Sequence, residues 1–246
     1  WLSYPQIVKL AGGKPIILKS RPENNFKIDI QELCSKISPR TKFIILNTPN
    51  NPTGNLIKLR DVLELARVFK GIIVIDEAYI DFTESNSWIE AIPKFPHLVV
   101  LQTLSKAWGL ASLRLGIAFC NRHLTDILNM IKSPYNISGL TQNQVLIALK
   151  QEDRMRSFVG EIKELKRELQ SALQQIPIIL KIYPSDANFF LVKFKDAKNV
   201  FHYLIKNGVI LRDRSGLVLC EDCLRITVGT SFENKQLIIA LNNYLK

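Results

Sequence analysis

The sequence predicts an α/β fold: a three-layer, mostly parallel sheet in a large domain over residues 1–152, then a connecting helix and a smaller α+β domain over residues 153–246. Three observations predict it. Short β-branched runs alternate with segments whose apolar residues recur near a period of 3.6. An uninterrupted amphipathic run begins at residue 153. Beyond it the chain changes character, with strand-like runs crowded between two helical stretches.

Residues 42–46 and 72–75 are short β-branched runs suited to buried parallel strands, and residues 59–69 between them have helical spacing. Residues 98–102 and 115–119 read as further strands, and residues 124–132 and 140–150 as helices. Such alternation implies right-handed crossovers between neighbouring strands. Residues 153–175 form the connecting helix, with Phe158, Ile162, Leu165, Leu169 and Leu173 on one side. Two strands (178–183 and 188–193), a helix (197–207), strands near 209–212 and 224–228, and a final helix (233–245) complete the α+β domain.

Apolar residues make up 47% and charged residues 22% of the 246, as in an ordinary globular chain able to bury a sizeable core. No apolar run approaches the ~20 residues needed to cross a bilayer, and no signal-peptide pattern follows Trp1, so a cytoplasmic location is expected. The net charge of +11 would suit nucleic acid, but the basic residues are scattered. Glu161, Lys163, Glu164, Lys166, Arg167 and Glu168 alternate in sign and are expected to form a solvated face. Anionic small molecules account for the positive balance equally well. Cys220 and Cys223 make one C-x-x-C, which lacks the two further ligands zinc needs and reads as two thiols near a strand. His97, His123 and His202 stand apart and suggest neither a metal site nor a triad.

Four segments place polar residues directly after apolar strands, where open α/β sheets form their ligand crevice. Residues 47–54, Asn-Thr-Pro-Asn-Asn-Pro-Thr-Gly, have turn composition. Asp76-Glu77-Ala78-Tyr79 puts an acid at a strand end, able to cap a helix or to enter the crevice with Tyr79. In residues 103–110, Lys106 follows a strand; a buried ammonium is costly unless its pKa falls or it is consumed as a Schiff base. The hydroxyls of Thr103 and Ser105 and the fork of Arg114 would suit a phosphate. Arg212 and Arg225 lie in strands of the second domain and suggest anchors for an anionic substrate.

Taken together, N-N-P-T-G at 50–54, D-E-A-Y at 76–79, T-L-S-K at 103–106, Arg114 and C-L-R-I-T-V-G at 223–229 resemble the fold-type I pyridoxal-phosphate-dependent aminotransferases. D-E-A-Y-I-D-F, P-Y-N at 134–136, D-A-N-F at 186–189 and I-L-R-D-R-S at 210–215 bring the resemblance closest to the histidinol-phosphate aminotransferases. The resemblance implies that Lys106 carries pyridoxal 5'-phosphate and moves the substrate proton, that Asp76 pairs with the protonated ring nitrogen, and that Tyr79 and Asn51 bond the ring's phenolate oxygen. It assigns the cofactor phosphate to Thr103, Ser105 and Arg114, and ring stacking to the aromatic at Trp1, which is equally a core or interface residue. Arg225 corresponds to the arginine that grips an α-carboxylate, Arg212 to a residue associated with the substrate phosphate, and Asn188 helps place this anchor.

The activity implied is transfer of an amino group between L-histidinol phosphate and 2-oxoglutarate, in histidine biosynthesis, by a homodimer. No metal, nucleic acid or membrane is involved in it. Relatives have about a hundred further residues before this point, including a glycine-containing helix start for the cofactor phosphate, so an N-terminally incomplete chain is expected. Alternatives within the class are an aromatic amino acid aminotransferase and a phosphothreonine decarboxylase. A non-catalytic ligand-binding domain is the alternative outside it.

Overall fold

The structure, a computed structural model, describes residues 3–245. Strands β1 (Phe43–Asn47), β2 (Ile72–Asp76), β3 (Leu98–Thr103) and β4 (Gly116–Phe119) form one sheet in the order β1-β2-β3-β4. The first three run parallel, as their β-branched composition predicts. β4 departs from the expected crossover pattern and pairs antiparallel to β3. Between them lie only residues 104–115, a turn and one 3-10 segment, without the crossover helix that usually joins parallel neighbours.

Ile73, Ile75, Leu98 and Val100 of this sheet are fully buried, as are Val62 and Leu65 of helix α3 (Leu59–Val68). Truncating any of the leucines or isoleucines to alanine should cost about 2–5 kcal/mol. Along β3 burial relaxes toward the carboxyl end, from three buried residues to three half-buried ones, while β1 and β2 alternate and end on half-buried Asn47 and Asp76.

A second sheet is antiparallel throughout, in the order β5-β6-β8-β7, from β5 (Ile179–Ile182), β6 (Phe189–Phe194), β7 (Arg212–Asp213) and β8 (Cys223–Thr227). Phe189, Phe190, Leu191, Val192 and Phe194 of β6 are buried, so this strand is covered on both faces. Helices α7 (Ala197–Lys206) and α8 (Ser231–Tyr244) pack together on the same part of the chain. The strand expected at 209–212 shrinks to two residues. Val209 N–H donates to the Leu204 carbonyl (2.9 Å) across Gly208 at φ +75°, so that segment closes α7 and is lost to the ladder.

Side-chain caps set the remaining boundaries. Asn121 starts α4 (Arg122–Ile131), Ser138 starts α5 (Gly139–Leu149) and Thr230 with Glu233 makes a capping box for α8; each helix therefore begins before its first periodic apolar residue. Two helices, α1 (Ser3–Leu10) and α2 (Ile30–Ser35), are additional to those expected. The connecting helix α6 (Glu152–Leu173) matches its prediction within two residues.

Contacts group the chain into two compact units. Arg40–Pro49 with Lys58–Lys163 holds the parallel sheet; the residues through Pro39, Asn50–Ile57 and those from Glu164 on hold the antiparallel one. This grouping differs from a break between residues 152 and 153. Long-range hydrogen bonds hold this unit together: Asn55 Nδ2 donates to the Phe26 carbonyl (3.2 Å), joining the two early segments, and Asp186 N–H donates to the Gly54 carbonyl (2.7 Å), joining them to the later elements. Among the described residues no helix is long and apolar enough to cross a membrane.

Candidate functional site

In the parallel-sheet unit the strand ends bring together five of the expected residues. Asp76 closes β2, opposite Asn47 of β1 and Leu101 of β3 in register. Its backbone carbonyl accepts from Thr48 N–H (2.9 Å) and Asn47 Nδ2 (3.1 Å), and its Oδ1 from Ala78 N–H (3.0 Å). These bonds hold the carboxylate at the strand end. Tyr79 is buried, and the Lys106 Nζ lies 5.4 Å from its ring centroid, within cation–π range.

Lys106 itself is exposed, against the expectation of a buried ammonium. It stands on the turn past β3, and within that turn Leu104 fills the apolar position while Gly109, at φ +66°, returns its N–H to the Lys106 carbonyl (3.0 Å). Thr103 and Ser105 face each other, hydroxyl to hydroxyl, at 3.0 Å, and Ser105 N–H donates to Thr103 Oγ1 at 3.1 Å. Thr103 Oγ1 also donates to the Leu115 carbonyl (3.3 Å), which brings the backbone after Arg114 beside the two hydroxyls. The Arg114 guanidinium is exposed and donates to the Ala111 carbonyl (3.0 Å) from a left-handed backbone at φ +54°.

A buried acid beside this set carried no role in the sequence reading. Glu77 is 1% exposed and accepts from Ser87 Oγ (2.6 Å), Trp88 N–H (2.7 Å) and Gln102 Nε2 (2.9 Å). Burial pushes its pKa above the ordinary carboxylate value, against the pull of those three donors. The network ties the end of β2 to β3 one residue before Thr103. Its one sequence signal is its place beside Asp76 at the end of the apolar run 72–75.

In the antiparallel-sheet unit Arg225 and Arg212 are direct cross-strand partners on β8 and β7. Arg212 is exposed and Arg225 half-buried. Arg225 Nη1 donates to Asn51 Oδ1 (3.0 Å), and its guanidinium lies 4.9 Å from the Phe189 ring centroid. Asn51 thus supports the arginine, a partner the sequence reading did not foresee. Asn188 accepts from Val228 N–H (2.9 Å) through its carbonyl, joining the start of β6 to the end of β8.

The Asn51 loop is held by Asn50 Nδ2 donating to Thr53 Oγ1 (2.7 Å), by Thr53 Oγ1 donating to Asn55 Oδ1, and by Gly54 at φ +80°. A Cβ on Gly54 would lie 2.1 Å from Ser185 Oγ. Its peptide bonds Thr48–Pro49 and Asn51–Pro52 are cis. Trp1 lies outside the described residues.

Cys220 and Cys223 pack with Phe26, Tyr183 and Leu191 in one apolar cluster as free thiols. Burial raises them to about 11 and about 12. That makes them core thiols rather than reactive ones.

The parallel-sheet unit thus carries polar side chains, an amine among them, at the carboxyl ends of its strands, and the antiparallel unit carries two arginines in cross-strand register. The model of the aminotransferases of class I and II matches residues 1–241, and the chain belongs to that family. It is 47% identical over 217 residues to the histidinol-phosphate aminotransferase of Flavobacterium psychrophilum, a match covering 88% of this chain and 62% of that protein. It is 45% identical over 219 residues to the enzyme of the same name from Cytophaga hutchinsonii, covering 89% and 63% respectively. The chain thus spans under two thirds of the length of these relatives.

Among solved structures, the histidinol-phosphate aminotransferase from Clostridium acetobutylicum superposes with a TM-score of 0.92 at 22% identity, over 99% of this chain and 75% of that one. The Sinorhizobium meliloti enzyme, solved in complex with pyridoxal-5'-phosphate, gives 0.89 at 20% identity, over 99% and 67%. At these identities the likeness speaks for the fold, that of the fold-type I aminotransferases.

Proposed function

We propose that the chain carries the cofactor- and substrate-binding residues of a pyridoxal-phosphate-dependent aminotransferase that exchanges an amino group between L-histidinol phosphate and 2-oxoglutarate, in histidine biosynthesis. One observation carries the reading: the Lys106 amine, the Asp76 carboxylate and the paired Thr103 and Ser105 hydroxyls all leave the carboxyl ends of β2 and β3. An amine, a carboxylate and a phosphate-sized donor pair are the functions needed to hold a phosphorylated aldehyde with a basic ring nitrogen. The relatives at 41–47% identity, all named histidinol-phosphate aminotransferases, support the choice of substrate.

When bound, pyridoxal phosphate would supply an aldehyde that condenses with amines and a ring that accepts the electrons released at the substrate α-carbon. Lys106 would carry the cofactor and, once displaced, take and return the α-proton through Nζ. Asp76 would keep a proton on the ring nitrogen, Tyr79 and Asn51 would donate to the phenolate oxygen, and Thr103, Ser105 and Arg114 would bind the phosphate. Trp1 would stack on the ring.

Arg225, held by Asn51 and the Phe189 ring, would grip the α-carboxylate of glutamate. Arg212, its cross-strand partner, would take the phosphate of histidinol phosphate, with Asn188 helping to place the pair. The reading includes a homodimer, as the family resemblance implies, and the cytoplasmic location expected from the sequence.

The test uses the full-length protein reconstituted with pyridoxal phosphate. An absorbance band near about 420 nm, abolished by borohydride and absent in Lys106→Ala, is expected of a lysine Schiff base. Turnover of histidinol phosphate should exceed that of phenylalanine. A wild-type protein without the band would overturn the cofactor assignment, and a preference for phenylalanine would overturn the substrate.

A further inference from the structure

The charged residues at 161–168 were expected to face solvent together, and Glu161, Glu164, Arg167 and Glu168 are exposed. Lys166 does something different. It is half-buried, and its Nζ donates to the Ser185 carbonyl (2.5 Å) and the Ala187 carbonyl (2.6 Å) while lying 5.3 Å from the Phe190 ring centroid. Two charge-assisted bonds to one turn fix that turn far more firmly than a solvated lysine could.

The turn at 185–187 is also closed from within. Ser185 Oγ donates to the Phe189 carbonyl (2.5 Å) and accepts from Ala187 N–H (3.2 Å). The same turn grips the Asn51 loop: Asp186 N–H donates to the Gly54 carbonyl (2.7 Å) and Asp186 Oδ2 accepts from Leu56 N–H (3.1 Å). Arg225 rests on both of these neighbours, on Asn51 through a hydrogen bond and on Phe189 through its ring face. One support, Phe189, therefore follows directly on the turn that the Lys166 ammonium holds, and the other, Asn51, belongs to the loop which that turn bonds at Gly54 and Leu56.

The geometry points to Lys166 as a positioning residue: by clamping the 185–187 carbonyls it sets the Asn51 amide and the Phe189 ring that aim Arg225, and thereby the affinity for substrate carboxylates. This rests on the proposed role of Arg225 as a carboxylate anchor. Displacement of such an anchor by a fraction of an ångström weakens a bidentate contact without removing the charge. An interaction made equally in ground and transition states appears in KM and leaves kcat alone.

The experiment measures the Kd of glutarate, a dicarboxylate that cannot be transaminated, by calorimetry on the full-length holoenzyme, together with KM for 2-oxoglutarate and kcat. Lys166→Met is expected to raise Kd and KM about tenfold while kcat stays within about twofold, and Lys166→Arg, which can still donate to two carbonyls, to restore most of the loss. In an Arg225→Ala background, Lys166→Met should add nothing, because the two act through one contact.

Wild-type glutarate affinity in Lys166→Met, or an undiminished effect in the Arg225→Ala background, overturns the inference alone. Wild-type affinity in Arg225→Ala overturns the anchor itself and the inference with it. Should Lys166→Met not fold, Ser185→Ala removes the hydroxyl link to Phe189 and keeps the ammonium. That variant should raise Kd about threefold, and an unchanged value overturns the inference equally.

Discussion

Asp76 and Glu77 are adjacent carboxylates at one strand end, yet only the first opens toward the carboxyl edge of the sheet; the second is 1% exposed among three donors. Glu77→Ala leaves those donors without their acceptor and should destabilise the protein by about 2–4 kcal/mol, read from the urea midpoint. Glu77→Gln, which keeps one acceptor oxygen, should lose less. Equal losses would show that the network is not what holds the site. Position in the motif made Asp76 legible in the sequence, whereas Glu77 is recognised only through Ser87 and Gln102, 10 and 25 residues away. The thiols give a second test at this scale. With pKa values near 11 and 12, Cys220 and Cys223 should resist an aromatic disulfide reagent at pH 8 until the chain unfolds, while the half-buried Cys34 and Cys120 react first.

Helices and strands were readable wherever a period ran for several turns or residues, as in α3, α6 and β6. Periodicity gives no information on pairing direction, and β4 shows why: its link to β3 holds no crossover helix, which its own composition does not reveal. Nor does charge alternation along α6 separate the exposed Arg167 from Lys166, since only the approach of the 185–187 turn distinguishes them. The Asn51 loop had turn composition in the sequence, and its function as a support for Arg225 arises from contacts with residues more than a hundred positions on. Gly54 is the critical element of that loop. At φ +80° with Ser185 Oγ 2.1 Å from a built Cβ, Gly54→Ala is expected to cost about 2–3 kcal/mol in stability by thermal or urea unfolding. It should also weaken glutarate binding, by moving Asn51. A neutral substitution would mean that the loop and the 185–187 turn can separate without consequence.

At the scale of the whole molecule, titration sets opposing slopes. Burial raises Glu77 above its ordinary 4.5, with Asp81 adding to it, and burial likewise raises Asp81 above 3.8. Folded protein holds these protons more tightly than unfolded chain, so stability falls as pH rises from about 4 to 4.5 through the raised values. His97 runs the other way: burial lowers it from 6.5, the Ala66 carbonyl opposes this and Lys70 reinforces it. The folded state sheds that proton first, so its contribution is complete above 6.5 and is lost as pH falls toward the lowered value. Melting temperatures measured from pH 4 to 8 should show His97→Gln flattening the loss on the acid side and Glu77→Gln flattening the loss above pH 4.5. Reversed signs would contradict the burial of both groups.

Arg212 and Arg225 stand in direct register on neighbouring strands, and like charges so placed repel. A divalent anion bound at this pair would relieve that repulsion. The choice of buffer is therefore part of the experiment. In phosphate or sulfate this protein should melt at a higher temperature than in chloride of equal ionic strength, with the gap growing logarithmically with anion concentration and vanishing in Arg212→Ala.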